Sequence, residues 1–297
     1  MDKAAGKLID GKAVSKSIIE EIGREVKEFS RGRRPPSLRV IIIGDDPASR
    51  VYVRSKIKTA GKCGIESELI ELPDNIDEQA LFDLIEQFNG DDGIDGFMVQ
   101  LPLPPHISPK NVIERVSPYK DVDGIHPFNL GRIVEGNPLF VPCTPMGIME
   151  LLNRYGVETG GRKAVVIGRS IIVGRPMSLL LSTKMEGGNA TVTMCHSRTS
   201  DIESEIREAD ILVSAVGKPE FIKGDMVKEG AVVIDVGVNR LDDPSRKKGY
   251  RLTGDVHFES VLPRVSMITP VPGGVGPMTV AMLMKNTLKA ARLSSES

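Results

Sequence analysis

Short, predominantly apolar runs recur along the chain, many closed by a turn residue and followed by an amphipathic stretch. They fall at 38–43, 94–101, 163–168, 190–195, 211–216 and 232–236. Runs of this length without polar alternation suit strands buried on both faces. Strands that alternate with helices build parallel sheets covered by helices on both sides, so an α/β class is expected throughout. Residues 12–29 place Val14, Ile18, Ile22, Val26 and Phe29 on one helical face, before Arg33-Arg34-Pro35-Pro36 breaks the pattern. Residues 49–63 read as a helix and 68–72 as a strand. Asn75 with Glu78 reads as a capping box for a helix whose apolar face is Leu81, Leu84, Ile85 and Phe88. Further helices are expected at 145–155, 174–184 and around 200–208. A last one starts from Pro277 and carries Val280, Leu283, Met284 and Leu288.

At 297 residues and roughly 150 residues per domain, two domains are expected. Prolines crowd the middle, from Pro102 to Pro145, which reads as a set of stiff loops. With the boundary placed at 144–147, residues 1–146 and 278–297 form one expected domain and 147–277 the other. The charge is nearly balanced, 39 Lys and Arg against 40 Asp and Glu, so neither nucleic acid nor an anionic membrane is an expected partner. No apolar stretch is long enough to span a bilayer. Met1 to Lys12 has no apolar run, and a cytoplasmic setting is expected. Cys63, Cys143 and Cys195 contain no CxxC pair, and His106, His126, His196 and His257 show no metal-ligand spacing. Neither a disulfide framework nor a bound metal is expected.

The sharpest local signal in the second half is Gly168-Arg169-Ser170-Ile171-Ile172-Val173-Gly174, where a buried strand runs into a glycine turn and a helix. Backbone N–H groups at such a helix start can hold a pyrophosphate. The same pattern also serves as a tight turn with no ligand, and Ser170 stands where the plain dinucleotide fingerprint has its second glycine. The next strand ends Cys195-His196-Ser197-Arg198-Thr199, with no acid before Asp201. NAD sites end that strand with an acid for the ribose hydroxyls, whereas hydroxyls and a guanidinium suit a 2′-phosphate. With Arg169 in the turn itself, the pattern reads as NADP rather than NAD. Solvated surface basics are the alternative, more so for Arg175 than for Arg169. Residues 214–219 and 235–239 end later strands with glycine, equally readable as ordinary turns or as ligand-facing loops.

In the first half, Tyr52 and Lys56 lie four apart on one helical face. Together they can orient a ring and move a proton; a surface helix with a snorkelling lysine is the plainer alternative. Gln100 ends a buried strand before Leu101-Pro102-Leu103-Pro104, and Asp123 sits in the stiff loop Asp121-Val122-Asp123-Gly124. Residues 270–277 form a rigid loop with bare backbone, suited to close approach of a ligand.

Seven segments then act as a set: 52–58 (YVRSKIK), 96–104 (GFMVQLPLP), 120–124 (KDVDG), 168–174 (GRSIIVG), 195–199 (CHSRT), 235–239 (DVGVN) and 269–279 (TPVPGGVGPMT). In identity and order they resemble the bifunctional methylenetetrahydrofolate dehydrogenase/cyclohydrolase family over nearly the whole chain. The resemblance implies an N-terminal α/β catalytic domain, a Rossmann-type parallel-sheet NADP domain, and a C-terminal helix returning to the first domain, with folate in the cleft between. It implies NADP-dependent oxidation of 5,10-methylenetetrahydrofolate to the 5,10-methenyl form, hydrolysis of that to 10-formyltetrahydrofolate, and a homodimer. It makes Lys56 the catalytic lysine, Tyr52 the residue that stacks on the substrate, Gln100 the hydrogen-bond partner of Lys56, and Asp123 the anchor of the pterin nitrogens. Val53, Val99, Leu101 and the loop Pro272, Gly273, Gly274, Val275 and Gly276 would line the substrate. Gly168, Arg169, Ser170, Gly174, Ser197, Arg198 and Val238 would meet NADP.

A lysine in that role is expected to be neutral or readily neutralised, because desolvation lowers its pKa. Residues 182–189 look longer than the resemblance leads one to expect, and Met98 and Cys63 are unexpected residues in their segments. A dehydrogenase lacking the hydrolytic step is one rival reading. An unrelated NADP reductase of the shikimate type would share the second half but not residues 99–104 or 272–277. A non-catalytic dinucleotide sensor would be expected to have lost Lys56.

Overall fold

A computed structural model of the chain describes residues 7–246 and 249–296. The chain divides into two compact units: Lys16–Cys143 with the last helix from Val280 onward, and Thr144–Thr279 with the segment up to Ser15. That segment groups with the second unit through backbone pairing. The Ile9 N–H donates to the Ile268 carbonyl at 2.9 Å and the Lys12 N–H to the Gly273 carbonyl at 2.9 Å. Sequence alone placed these residues with the first unit.

Helix α1 (Gly11–Phe29) buries Ile18, Ile22 and Val26, as its periodicity requires. Strand β1 (Ser37–Ile43) follows and is buried at every position except Arg39. It is the central strand of a three-stranded parallel sheet, flanked by β2 (Glu66–Leu72) and β3 (Gly96–Val99) in the order β2-β1-β3. The connecting helix α2 (Pro47–Cys63) starts at a proline, is capped by the Asp46 carboxylate on the Ser49 N–H at 2.7 Å, and stops at the left-handed Gly64. Helix α3 (Glu78–Gly90) presents Leu81, Phe82, Ile85 and Phe88 to the sheet. The expected Asn75–Glu78 capping box is absent: Asp77 is the N-cap residue, and the Glu78 carboxylate instead accepts the Ser108 N–H at 2.8 Å. A tertiary donor has displaced the local one.

Two prolines of the crowded middle open short helices, α4 (Pro109–Arg115) and α5 (Pro127–Val134). The missing proline N–H costs nothing at a first helical turn, so residues that read as loop stiffeners also act as helix starts. Helix α6 (Cys143–Arg154) then leads into the second unit.

The second unit is a five-stranded parallel sheet built from β4 (Lys163–Ile167), β5 (Thr191–Cys195), β6 (Ile211–Ser214), β7 (Val232–Asp235) and, further on, β10 (Met267–Ile268), in the order β10-β7-β6-β4-β5. Helices α7 (Gly174–Ser182) and α8 (Ile202–Glu208) connect its first three strands. One face of the sheet packs in a cluster that includes Val165, Ile206, Leu212, Val233, Val261 and Ile268. From β4 the chain moves outward to β5 and then crosses back to β6. The carboxyl ends of β4 and β6 therefore border the point where the winding reverses, the place where open α/β sheets bind ligands. A two-stranded antiparallel hairpin, β8 (Asn239–Asp242) with β9 (Tyr250–Thr253), follows β7, and the short helix α9 (Phe258–Val261) precedes β10. Neither the hairpin nor β10 is expected from the sequence; their four- and two-residue strands are too short to show a period.

Helix α10 (Val275–Ser294) starts two residues before the expected Pro277 and buries Val280, Leu283, Met284 and Leu288. No helix among the described residues is long and apolar enough to cross a membrane.

Leu212 on β6 is 0% exposed. Leu212→Ala is expected to lower the unfolding free energy by about 2–5 kcal/mol, through lost burial and an uncollapsed cavity. Met194→Ala on the exposed side of edge strand β5 is expected to change it by no more than ~0.5 kcal/mol. Urea unfolding followed by circular dichroism checks both, and equal effects would mean the sheet is not packed as described.

Candidate active site

In the first unit, helix α2 and the end of strand β3 bring Lys56 and Gln100 together. The Lys56 side chain is 6% exposed, and its Nζ donates to Gln100 Oε1 at 2.9 Å and to Met98 Sδ at 3.2 Å. Gln100 cannot turn its amide the other way at no cost, because its Nε2 already donates to the Leu101 carbonyl at 2.7 Å. The oxygen is thereby held toward the lysine. Burial pushes the Lys56 ammonium below its ordinary pKa; the Asp123 and Cys143 charges pull the other way and do not win. Loss of solvation is the larger effect because both acceptors beside the amine are neutral.

Asp123 sits on the 121–126 loop, which is held from several sides. The Asp121 carboxylate is 4% exposed and accepts the His126 N–H and Asn129 Nδ2 at 2.8 Å each and the Gly124 N–H at 3.1 Å. Burial raises its pKa; the donors from Asn129 and His126 oppose the rise. Asn286 on α10 donates to the carbonyls of Val122 at 2.9 Å and Val141 at 3.1 Å. Met98, Val99, Leu101, Asp121 and Asp123 line one small cavity. Cys143 is buried near the same charges, and burial, with Asp123 adding to it, pushes its thiol well up.

Of the other expected substrate residues in this unit, Tyr52 is 38% exposed, and burial of the rest of the side chain raises its hydroxyl pKa. Val53 is 0% exposed, so its side chain packs inward and presents nothing to a ligand. The sequence reading missed Met98, Asp121 and Asn286. A methionine reads as core, the Asp121 role depends on a fold that brings Asn129 under it, and Asn286 lies on a helix far along the chain. Only the carboxylate repeated within Asp121-Val122-Asp123 offered a signal.

In the second unit, the turn after β4 is shaped by close contacts. Gly168 has φ +130°, and a Cβ there would lie 2.6 Å from the Ala215 carbonyl oxygen at the end of β6. A Cβ on Gly174 would lie 2.2 Å from the Gly168 oxygen. Both positions therefore require glycine. Ser170 Oγ accepts the Val173 N–H at 3.1 Å and the Gly174 N–H at 3.4 Å, while the Ser170 carbonyl accepts the Arg175 N–H at 3.0 Å. The first turn of α7 is thus satisfied largely from within, with the serine in the second-glycine position supplying hydroxyl and carbonyl acceptors to the amides at its start. Arg169, Ser197 and Arg198 are exposed at the carboxyl ends of β4 and β5, and Val238 is 47% exposed after β7. The first acid after β5, Asp201, is used locally: its carboxylate caps α8 on the Ser204 N–H at 3.0 Å. No carboxylate is left at that strand end for a ribose hydroxyl, and the exposed groups are a serine hydroxyl and two guanidiniums, which fits a 2′-phosphate.

The loop at Pro272, Gly273, Gly274, Val275 and Gly276 runs into α10. Gly273 accepts the Lys12 N–H, Gly274 and Val275 are buried, and Pro272 is exposed. Among the described residues no three His, Cys, Asp or Glu side chains are grouped as metal ligands would be.

Comparison with known proteins bears on both units. Residues 9–123 match a sequence family described as tetrahydrofolate dehydrogenase/cyclohydrolase, catalytic domain, and residues 142–295 match its NAD(P)-binding domain. The bifunctional protein FolD of Bacteroides thetaiotaomicron is 53% identical over 286 residues, covering 96% of this chain and 98% of that protein. The methylenetetrahydrofolate dehydrogenase-cyclohydrolase of Trypanosoma brucei, solved with NADP and an inhibitor, superposes with a TM-score of 0.92 at 44% identity, covering 98% of each chain. The bifunctional enzyme of Campylobacter jejuni superposes with a TM-score of 0.90 at 45% identity, covering 96% of this chain and 98% of that one.

Because burial holds the folded-state pKa of Lys56 below its unfolded value, the folded protein binds fewer protons than the unfolded one between those two values. Stability then rises with pH across that window, up to the ordinary lysine value of 10.5. Lys56→Met removes the group. The variant is expected to be more stable than the parent below the lowered pKa, with the difference shrinking as pH rises. Denaturant midpoints measured across the alkaline range check this, and a pH-independent difference would show that the amine is not desolvated.

Proposed function

The chain belongs to the tetrahydrofolate dehydrogenase/cyclohydrolase family, and from that premise we infer that it is a bifunctional one-carbon folate enzyme. It oxidises 5,10-methylenetetrahydrofolate to the 5,10-methenyl cation and hydrolyses the cation to 10-formyltetrahydrofolate. The observation that carries the hydrolytic half is the Lys56 amine, buried and donating to two neutral acceptors, Gln100 Oε1 and Met98 Sδ. A neutral amine has two N–H bonds. With both given to those acceptors, its lone pair is left free to take a proton from water as the water attacks the methenyl carbon. The protonated amine can then return that proton as the ring opens. Burial lowers the pKa of the amine, and Gln100 and Met98 hold its direction, which is what general acid–base catalysis asks of a proton carrier. A dehydrogenase lacking the hydrolytic step would have no use for such a lysine.

Tyr52 stacks on the pterin-bearing substrate and Asp123 accepts its ring N–H groups, on a loop held rigid by Asp121. Val99 and Leu101 supply apolar surface beside them, and Val53 acts only through its backbone. The Pro272–Gly276 loop is assigned to substrate on its sequence. Arg169, Ser197 and Arg198 hold the 2′-phosphate of NADP, with Gly168, Ser170 and Gly174 shaping the turn and Val238 contributing apolar contact. Bound NADP supplies the hydride acceptor for the oxidative step. For that step the protein's contribution is orientation of the substrate, and no side chain needs to take a proton. We place the enzyme in the cytoplasm as a homodimer. β5 supports pairing of two copies: it is the edge of its sheet, and Met194 is 40% exposed on it.

Lys56→Met is expected to slow hydrolysis by about 10²–10⁴-fold while NADP reduction continues, so that the methenyl species accumulates and is seen by its absorbance. Unimpaired hydrolysis would remove Lys56 from the mechanism. Arg169→Ala is expected to lower the preference for NADP over NAD by about tenfold or more, the scale of one lost charge-assisted bond. An unchanged ratio of kcat/KM values would move the 2′-phosphate elsewhere.

A further inference from the structure

Two loops of the second unit, 215–219 after β6 and 236–239 after β7, stand at the carboxyl ends of neighbouring parallel strands. Neither is held by a ladder bond at its tip. Both are tied to one side chain that no motif singled out. The Asp255 carboxylate is 0% exposed. Its Oδ2 accepts the Val216 N–H at 2.7 Å, the Gly217 N–H at 3.2 Å and the Ser214 hydroxyl at 3.3 Å. Its Oδ1 accepts the Lys218 N–H at 3.0 Å and Asn239 Nδ2 at 3.0 Å. Three successive backbone amides thus wrap one carboxylate, and the same carboxylate reaches across to the residue after Val238. Each of these partners is a donor, so the position is built for a group that only accepts.

Asp255 is itself held in place. Its N–H and that of Val256 donate to the Asp235 carboxylate at 2.9 Å each, and the Gly237 N–H donates to the same group at 3.0 Å. The chain is therefore stitched from β7 to the segment after β9 and back to the ends of β6 and β7. We propose that Asp255 is a positioning residue for NADP, fixing the spacing between the loop after β6 and the loop carrying Val238. This rests on the dinucleotide assignment of the preceding subsection. The loop after β7 carries Val238, and the loop after β6 borders the reversal point where open α/β sheets bind ligands, so the spacing between the two loops matters to the cofactor. Asp255 sets that spacing from beneath, as a buried group that touches both loops. A strand end that must leave its backbone available to a ligand needs this kind of anchoring, because an unanchored loop would have to be ordered by the ligand at the expense of affinity.

Asp255→Asn keeps the shape and replaces one acceptor oxygen with a donor. Neither amide orientation suits the site: one sets the NH2 group against the Val216 and Gly217 amides, the other against Lys218 and Asn239. The expected result is a KM for NADP raised about tenfold or more, with the KM for methylenetetrahydrofolate within about twofold of the parent. Hydrolysis of methenyltetrahydrofolate, assayed without NADP, is expected to be unchanged. A purely architectural role would lower both activities together. An unchanged KM for NADP overturns the proposal. If Asp255→Asn does not fold or also loses hydrolysis, Asn239→Ala decides. It removes one donor from the same carboxylate, and a severalfold rise in the KM for NADP with hydrolysis intact supports the proposal, whereas an unchanged KM overturns it. A parent protein inactive toward both folates would instead overturn the functional reading, so the two failures are told apart.

Discussion

A carboxylate taken out of water is tolerated only where donors replace the water. Among the described residues four aspartates, Asp95, Asp121, Asp235 and Asp255, are buried to 4% exposure or less, and each is surrounded by donors. Asp95 accepts from Arg34, from the Ser37 N–H at the start of β1 and from Ser294 at the end of α10. Asp121 holds the loop that carries Asp123. Asp235 and Asp255 hold the loops after β6 and β7. In each case one buried carboxyl group ties chain segments together through its own hydrogen bonds, and for Asp121, Asp235 and Asp255 the backbone so held lies in loops outside the sheets and helices. The requirement runs in both directions: the fold must supply donors or the charge is unaffordable, and a loop whose amides are so engaged has little freedom left.

Parallel sheets make this need acute. Their strands are buried on both faces, so chemistry cannot sit on the strands and falls to the loops at their carboxyl ends. Those loops are also the parts least supported by regular hydrogen bonding. The chain meets the difficulty in different ways in its two units. In the first, stiffness comes from prolines around Gln100 and from the pinned Asp121 loop. In the second it comes from glycines that let backbones approach, at Gly168 and Gly174, and from the paired aspartates. Lys56 differs from these aspartates in being a buried basic group whose hydrogen-bonding partners are acceptors. Its partners are an amide oxygen and a thioether, and this neutral setting, in which no carboxylate is hydrogen-bonded to the amine, is what keeps the amine from holding its proton tightly.

How far the site was legible beforehand follows the range of the interactions that make it. Tyr52 and Lys56 share a helix, so their common face follows from spacing, and the missing acid after β5 could be read directly. The internal satisfaction of the α7 turn by Ser170 could not, because sequence does not show which way a hydroxyl turns. Nor could the burial of the Val53 side chain, since a residue next to one that faces a ligand is readily assigned to the same surface. The Asn75 cap failed because Glu78 found a donor thirty residues away at Ser108.

The sequence by itself determined the α/β class, the position of nearly every long element, the family, and the residue types proposed for the reactive centre. These follow from local periodicity, turn chemistry and motifs carried within a few residues of chain. Tertiary structure alone decided that the segment before Ser15 pairs with β10 and its following loop. It decided too that short strands such as β8, β9 and β10 form, that Met98 meets Lys56, and that Asp255 reaches two loops at once. Each of those depends on groups distant in sequence being brought within hydrogen-bond reach, and such contacts leave no periodic trace because their energy appears only once the chain has closed around them.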